Sequence, residues 1–350
     1  MGRSGRLVHG RRRVDTSAFG AIWKTADMKL GVGLWCLQST ATAPRAWTQA
    51  YDELLDDARL TERVGLHSLW LSEHHGYYDG YCPALIPAAA AALAATDTLQ
   101  VGTGVLLLPL HDSERVRSAA AHLNERFGGR FHLGMGMGYR PTEFAQRGLD
   151  IGDRVRRMVD GLDNLAADRP GPMWVGVTSE PAARRAGRRG LGLMISGAFS
   201  KRVVDDLIAA HREAWEAAGS LGGTTPPVGL LRNVWVADSP QERRQALDWV
   251  RSSYLVYAGL GWGADDTGVD FRAAIAESMD EVEDSAIVGS AEEVADTLAG
   301  YDVDLVVCRI GYDEPPSSAV REVIERLGAD VAPAIASAGR TETIDRGLPS

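Results

Sequence analysis

Cysteine is nearly absent. The chain has 3 among 350 residues, Cys36, Cys82 and Cys308, too few and too scattered for a disulfide framework or a thiolate metal site. Such sparing use suits a reducing compartment, so a cytoplasmic protein is expected. Positive charge is also in deficit. With 37 Lys and Arg against 47 Asp and Glu, the net charge is -10, which argues against nucleic acid or anionic membrane as the main partner. No apolar run approaches the roughly 18 residues of a membrane span. Chemical signatures are missing too. There is no HxH or HExxH spacing for a metal and no GxSxG elbow for a serine nucleophile. The dinucleotide fingerprint GxGxxG fails as well, because "GMGMGYRP" puts Tyr139 where the third small residue belongs.

What the chain does have is a long alternation. Apolar runs at 29–35 (KLGVGLW), 67–72 (HSLWLS), 99–109 (LQVGTGVLLLP), 130–138 (RFHLGMGMG), 172–177, 191–196, 228–237 and 303–310 are separated by segments with helical spacing. Continuous rather than alternating apolar runs suit parallel strands covered by helices. The pattern predicts an α/β fold, a TIM (β/α)8 barrel, whose usual size is about 250 residues or more. Residues 1–27 lack the apolar core and cleavage site of a signal peptide and are expected to be a disordered extension. One barrel domain is expected over 28–335, with a tail at 336–350. A long segment at 254–286 is read as an insertion between units seven and eight, covering the barrel mouth.

Chemistry in such a barrel sits at the carboxyl ends of the strands. Strand two ends there on "SEHHGYYDGY", which delivers Glu73, His74 and His75. Neighbouring histidines bind metals, relay protons, or simply end a strand on hydrogen-bonded groups. Successive side chains alternate, so a mouth-facing His74 sends His75 to the rim or helix layer. With His111 after strand three, the spacing still supports no multi-ligand metal site. Other strand ends converge on the same rim: Thr103 and Gly104, Met135 to Gly138, Thr178 and Ser179, and Ser196. The strand-four glycines are expected to let a ligand approach the backbone. Thr178 and Ser179 precede a helix start and read as an anion site. Trp35, Tyr77 and Tyr78 predict an aromatic mouth for a hydrophobic or aromatic organic substrate.

Taken together, "LWLSEHHGYYDGY", the run from Val101 through "GRFHLGMGMGYRPTEF", "LGLMIS" and "IVGSAEEVADTLAGYDVDLVVCRIG" resemble the bacterial luciferase-like flavin-dependent monooxygenases. The similarity covers Met28 to about Pro333. That resemblance implies a TIM barrel binding reduced FMN, or in some branches the deazaflavin F420. In the luciferase branch reduced FMN and molecular oxygen give a flavin C4a-peroxide that attacks an organic substrate. It implies catalytic roles for His74 and its neighbour His75. Cofactor contacts fall to Glu73, Thr103, Gly104, Val105, Met137, Gly138, Tyr139, Thr178, Ser179 and Ser196. A strand-three bulge should carry a non-proline cis peptide at Gly104–Val105, and Glu73 is expected to fix the His74 tautomer. A separate flavin reductase and a homodimer built through helices near Pro83–Ala95 complete the expectation. Two departures stand out. Met137 replaces a phosphate-binding arginine, leaving Arg140 or Arg184 to compensate, and the stretch from Phe144 to Pro172 is short. An F420-dependent hydride-transfer enzyme and a non-catalytic flavin-binding homologue are the alternatives.

Overall fold

Every one of the eight apolar runs forms a parallel strand. The computed structural model describes residues 28–35, 37, 44–76, 82–195, 199–259, 282–311 and 314–337. Strands β1 (Lys29–Trp35), β2 (Ser68–Leu71), β3 (Gln100–Thr103), β5 (Phe131–Gly136), β6 (Met173–Val177), β7 (Gly192–Ile195), β8 (Val228–Val236) and β10 (Leu305–Arg309) pair in that order. β10 then pairs with both β8 and β1, which closes the barrel. Helices α1 (Trp47–Arg63), α2 (Leu85–Ala94), α3 (Ser113–Arg126), α5 (Arg154–Ala167), α6 (Glu180–Gly187), α7 (Lys201–Ala217), α8 (Pro240–Gly259), α9 (Ala291–Ala299) and α10 (Ser317–Arg326) follow the strands, with a short α4 (Pro141–Ala145) after β5. No helix among the described residues is long and apolar enough to cross a membrane.

The barrel interior is built around two indoles. Trp70 and Trp174 meet edge to face at 5.8 Å, with Met194, Leu231, Leu305 and Val307 around them. Glycines opposite them are a packing requirement. A Cβ on Gly102 would lie 2.4 Å from Trp70 Cε3, and one on Gly192 2.9 Å from Trp174 Cε3. His132 fills the remaining inner space. It accepts a hydrogen bond from Trp174 Nε1 at 3.1 Å on Nδ1 and stacks on the same indole. Burial pushes its pKa down to about 3, so it is a neutral packing residue.

Two features depart from a plain barrel. The predicted third strand is broken: β3 stops at Thr103 and the short β4 (Leu106–Leu107) resumes the pairing with β5. β9 (Ile287–Gly289) lies beside the upper half of β8, pairing Val234 with Ile287 and Val236 with Gly289. Residues 1–27, 260–281 and 338–350 lie outside the described residues, and with them most of the expected extension, mouth cover and tail.

Candidate active site

The rim of the barrel is organised by the break in strand three. Val101 pairs with Phe131 and Gly102 with His132, whereas Leu106 pairs with Met135. Three residues, Thr103 to Val105, therefore face only Leu133 and Gly134, which is a β-bulge. Thr103 bridges the gap: its hydroxyl donates to Gly134 O at 2.7 Å and accepts from Gly134 N–H at 2.9 Å. The hydroxyl expected to touch a cofactor thus holds two strands together. The Gly104–Val105 peptide bond is cis, at the position that the resemblance implied.

The strand-four glycines correct another expectation. A Cβ on Gly134 would sit 1.9 Å from Thr103 O, and one on Gly136 2.3 Å from Val105 Cγ2. Gly176 on β6 faces Val105 as well, at 2.8 Å from Cγ1. The space that these glycines vacate is filled by the bulge, not left for a ligand. Val105, half-buried, fills that space and packs against Leu107, Leu110 and Phe144. Met137 and Tyr139 are half-buried, and Gly138 turns the chain with φ 74° against the Phe144 ring.

Beyond β2 the chain delivers Glu73, His74 and His75, all three buried, into two linked clusters. Trp70 faces the barrel interior, and β2 ends at Leu71, so Ser72 to His75 leave the strand at the rim. His74 Nδ1 lies 2.9 Å from Glu143 Oε1, and its ring meets Tyr139 edge to face at 5.6 Å. Glu143 is fully buried and comes from α4, whose first residue is Pro141 and whose Phe144 packs against Leu107 and Leu110. The same Oε1 accepts the His75 backbone N–H at 2.8 Å. Glu143, not Glu73, is therefore the carboxylate on His74.

Glu73 serves the second cluster. Its Oε1 is hydrogen-bonded to His75 Nε2 and, at 2.7 Å, to His111 Nε2, while Oε2 accepts the Leu107 amide at 2.7 Å. Burial alone would raise the carboxyl. The hydrogen bonds from His111 and His75 outweigh it and hold Glu73 down at about 2. His111 is presented by a turn ending at Asp112, which caps α3 through Glu114 N–H at 3.0 Å and Arg115 N–H at 3.1 Å.

Glu73, His75 and His111 form a ligand set that short-range spacing did not reveal, with their donor atoms within 4.8 Å of one another. Arg147 argues against a cation there. Its Nη2 lies 3.2 Å from His75 Nδ1 and 3.3 Å from Nε2. A divalent ion about 4–5 Å from a guanidinium would meet repulsion on the order of 5 kcal/mol or more even at a surface-like dielectric. The trio works as a hydrogen-bonded brace.

The remaining expectations divide. Thr178 and Ser179 are exposed at the amino end of α6, and Ser179, in the N-cap position with extended backbone, spends no side-chain hydrogen bond on the cap. Arg184, one turn along, pairs with Glu180 at 2.8 Å and Glu213 at 3.0 Å in solvent. Arg140 is already engaged within the fold: it is buried, donates to the His75 carbonyl at 3.0 Å and lies 3.8 Å from Glu143 Oε1. Ser196, Tyr77, Tyr78 and the Trp35 side chain lie outside the described residues. Glu143, Arg140 and Arg147 carry structural weight that the sequence reading did not assign. Their signal was "RPTEFAQR", charged residues around a proline and a phenylalanine shortly after a strand end at the mouth.

Comparison with known proteins identifies the family of this fold. The sequence profile of the luciferase-like monooxygenases matches residues 28–167 and 161–306. The chain belongs to that family. It is 32% identical over 284 residues to the 4-hydroxyprotoasukamycin monooxygenase of Streptomyces nodosus subsp. asukaensis, covering 70% of this chain and 75% of the relative. The oxygenase component of the flavin-dependent trigonelline monooxygenase of Acinetobacter baylyi is 23% identical, over 76% of this chain and 82% of its own. The monooxygenase RslO1 from Streptomyces bottropensis superposes with a TM-score of 0.74 at 22% identity, covering 87% of this chain and 99% of its own. The oxygenating constituent of 3,6-diketocamphane monooxygenase from Pseudomonas putida, solved with FMN, gives 0.64 at 20%, covering 88% and 98%.

Proposed function

We propose that the chain is the oxygenase of a two-component system, using reduced FMN and molecular oxygen to oxygenate a hydrophobic or aromatic organic molecule. The observation that carries this reading is His74, held on a buried carboxylate at the mouth of a luciferase-like barrel. The site fits a flavin phosphate despite Met137. Two exposed hydroxyls, Thr178 and Ser179, stand at a helix amino end without capping it. Arg184 and Arg185 are the cations within that helix, and the exposed ion pairs of Arg184 are the weak kind that yield to an anion. Val105 offers a half-buried apolar side chain at the bulge.

Reduced flavin, when bound, supplies the electrons that activate oxygen. The protein's own residues do the rest: Thr178 and Ser179 hold the anionic end, the apolar Val105 disfavours water, and His74 holds or moves a proton at the mouth. The missing dinucleotide fingerprint, and a relative named as an oxygenase component, support a separate reductase as partner. The test is an anaerobic titration of the purified chain with reduced FMN and with reduced F420, followed by oxygen. Reduced FMN should bind and oxidise on the protein. Binding of F420 alone would replace this reading with deazaflavin hydride transfer.

A further inference from the structure

Glu143 is an expensive residue. It is fully buried, its Oε1 accepts from His74 Nδ1 and the His75 amide, and its buried Oε2 has no hydrogen-bond partner among the described residues. The guanidinium of Arg140 makes a long ion pair with Glu143, 3.8 Å from Oε1, and also donates to the His75 carbonyl. Burying an ionised carboxylate that is only partly satisfied opposes folding. A glutamine of the same shape would brace the His75 amide as well.

A carboxylate adds two properties that glutamine lacks. Ionised, it accepts only, so the shared proton must sit on His74 Nδ1 and the basic nitrogen must be Nε2. It also carries the charge that stabilises a histidine cation beside it. We infer that Glu143 is the positioning residue of His74, fixing the Nδ1–H tautomer and balancing the imidazolium formed when Nε2 takes a proton. In that step the Nε2–H bond forms, the donor at the mouth keeps its bonding pair, and the Nδ1 proton stays in place against Glu143. The arrangement follows the base-and-orienter logic of catalytic histidines. It is assembled from residues 69 positions apart. The inference rests on His74 acting at the mouth, so its test is split in two.

The first arm needs no flavin. Solid-state ¹⁵N spectra of histidine-labelled protein, with His74→Gln used to assign the resonance, should show His74 protonated on Nδ1 near neutral pH. Protonation on Nε2 alone would overturn the inference whatever the cofactor is. The second arm follows oxidation of bound reduced FMN across pH in His74→Gln, Glu143→Gln, Glu143→Asp and the double glutamine variant. Glu143→Gln should slow the pH-dependent oxidation by about 10²-fold, as loss of a positioned base does. It should leave the reduced-FMN dissociation constant within about twofold, with Glu143→Asp recovering part of the rate. The double variant should be no slower than His74→Gln, because both residues act in one step. Additive losses, or a weakened FMN affinity with an unchanged pH profile, would reduce Glu143 to a brace. Failure of reduced FMN to bind at all would sink the proposed function and leave the tautomer result standing.

Discussion

Glu73 holds two imidazoles and one amide on its two oxygens, and its ionisation is tied to folding. Held at about 2 in the folded chain against 4.5 for a free glutamate, it contributes on the order of 3 kcal/mol of stability. The sign follows from a depressed folded value. The contribution is complete above about pH 4.5 and is lost as the pH falls towards about 2. Glu73→Gln should therefore be clearly less stable than the parent chain in urea at pH 7, and the gap should close across that acid window. A gap independent of pH would mean that the carboxylate is neutral in the fold. The two histidines separate in the same way. His75→Ala removes a partner of the buried Glu73 and should cost about 1–3 kcal/mol, read from the urea midpoint. His74→Ala should keep its affinity for reduced FMN but release hydrogen peroxide in place of oxygenated product, a loss of about 10²–10⁴ in the coupled rate. Full coupling in that variant would return the histidine pair to a strand-end ornament.

At the scale of elements, the lesson lies in strand three. The run 99–109 reads as one strand because apolar composition reports burial, not register. The bulge at Thr103–Val105 was implied by the family resemblance but not by the apolar pattern, and its register shows when β5 is laid beside it. The barrel itself was legible. "KLGVGLW" and its seven counterparts became the eight strands, and "EHH" fell at the mouth, because parallel strands buried on both faces leave continuous apolar runs. Side-chain partners across loops were not legible. Glu143 and His111 reach β2 only through the closure of the barrel, 69 and 38 residues from the atoms they bond. The glycines were legible as special and misread in purpose. This sets a paired prediction. Gly134→Ala drives a Cβ into the Thr103 carbonyl, a backbone wall, and should destabilise by about 3 kcal/mol or more. Gly136→Ala meets only the Val105 side chain, so adding Val105→Ala should restore most of the lost thermal midpoint. Equal tolerance of both glycine variants would show that the bulge yields freely.

Across the described residues, the first two helices carry the most exposed large apolar side chain. Trp47 is 62% exposed and Tyr51 38%, one turn apart on α1. The neighbouring α2 turns Pro87, Ala91 and Ala94 outward and has no charged residue along its length. Small side chains let a second helix approach closely, and an exposed tryptophan beside them supplies the large apolar contact that interfaces favour. The helix layer needs no alanine stripe for its own barrel, since Ala88, Ala89, Ala92 and Leu93 already pack inward. If the expected homodimer forms, this face is where it should pair, with α1 and α2 of one protomer against those of another. Light scattering at micromolar concentration should return twice the 37.6 kDa of the chain. Ala91→Arg places a charge at the centre of the face and leaves the barrel interior untouched. It should give a monomer with an unchanged circular dichroism spectrum. A monomeric parent chain, or an Ala91→Arg variant that still doubles its mass, would move the contact elsewhere and leave Trp47 as an isolated surface tryptophan.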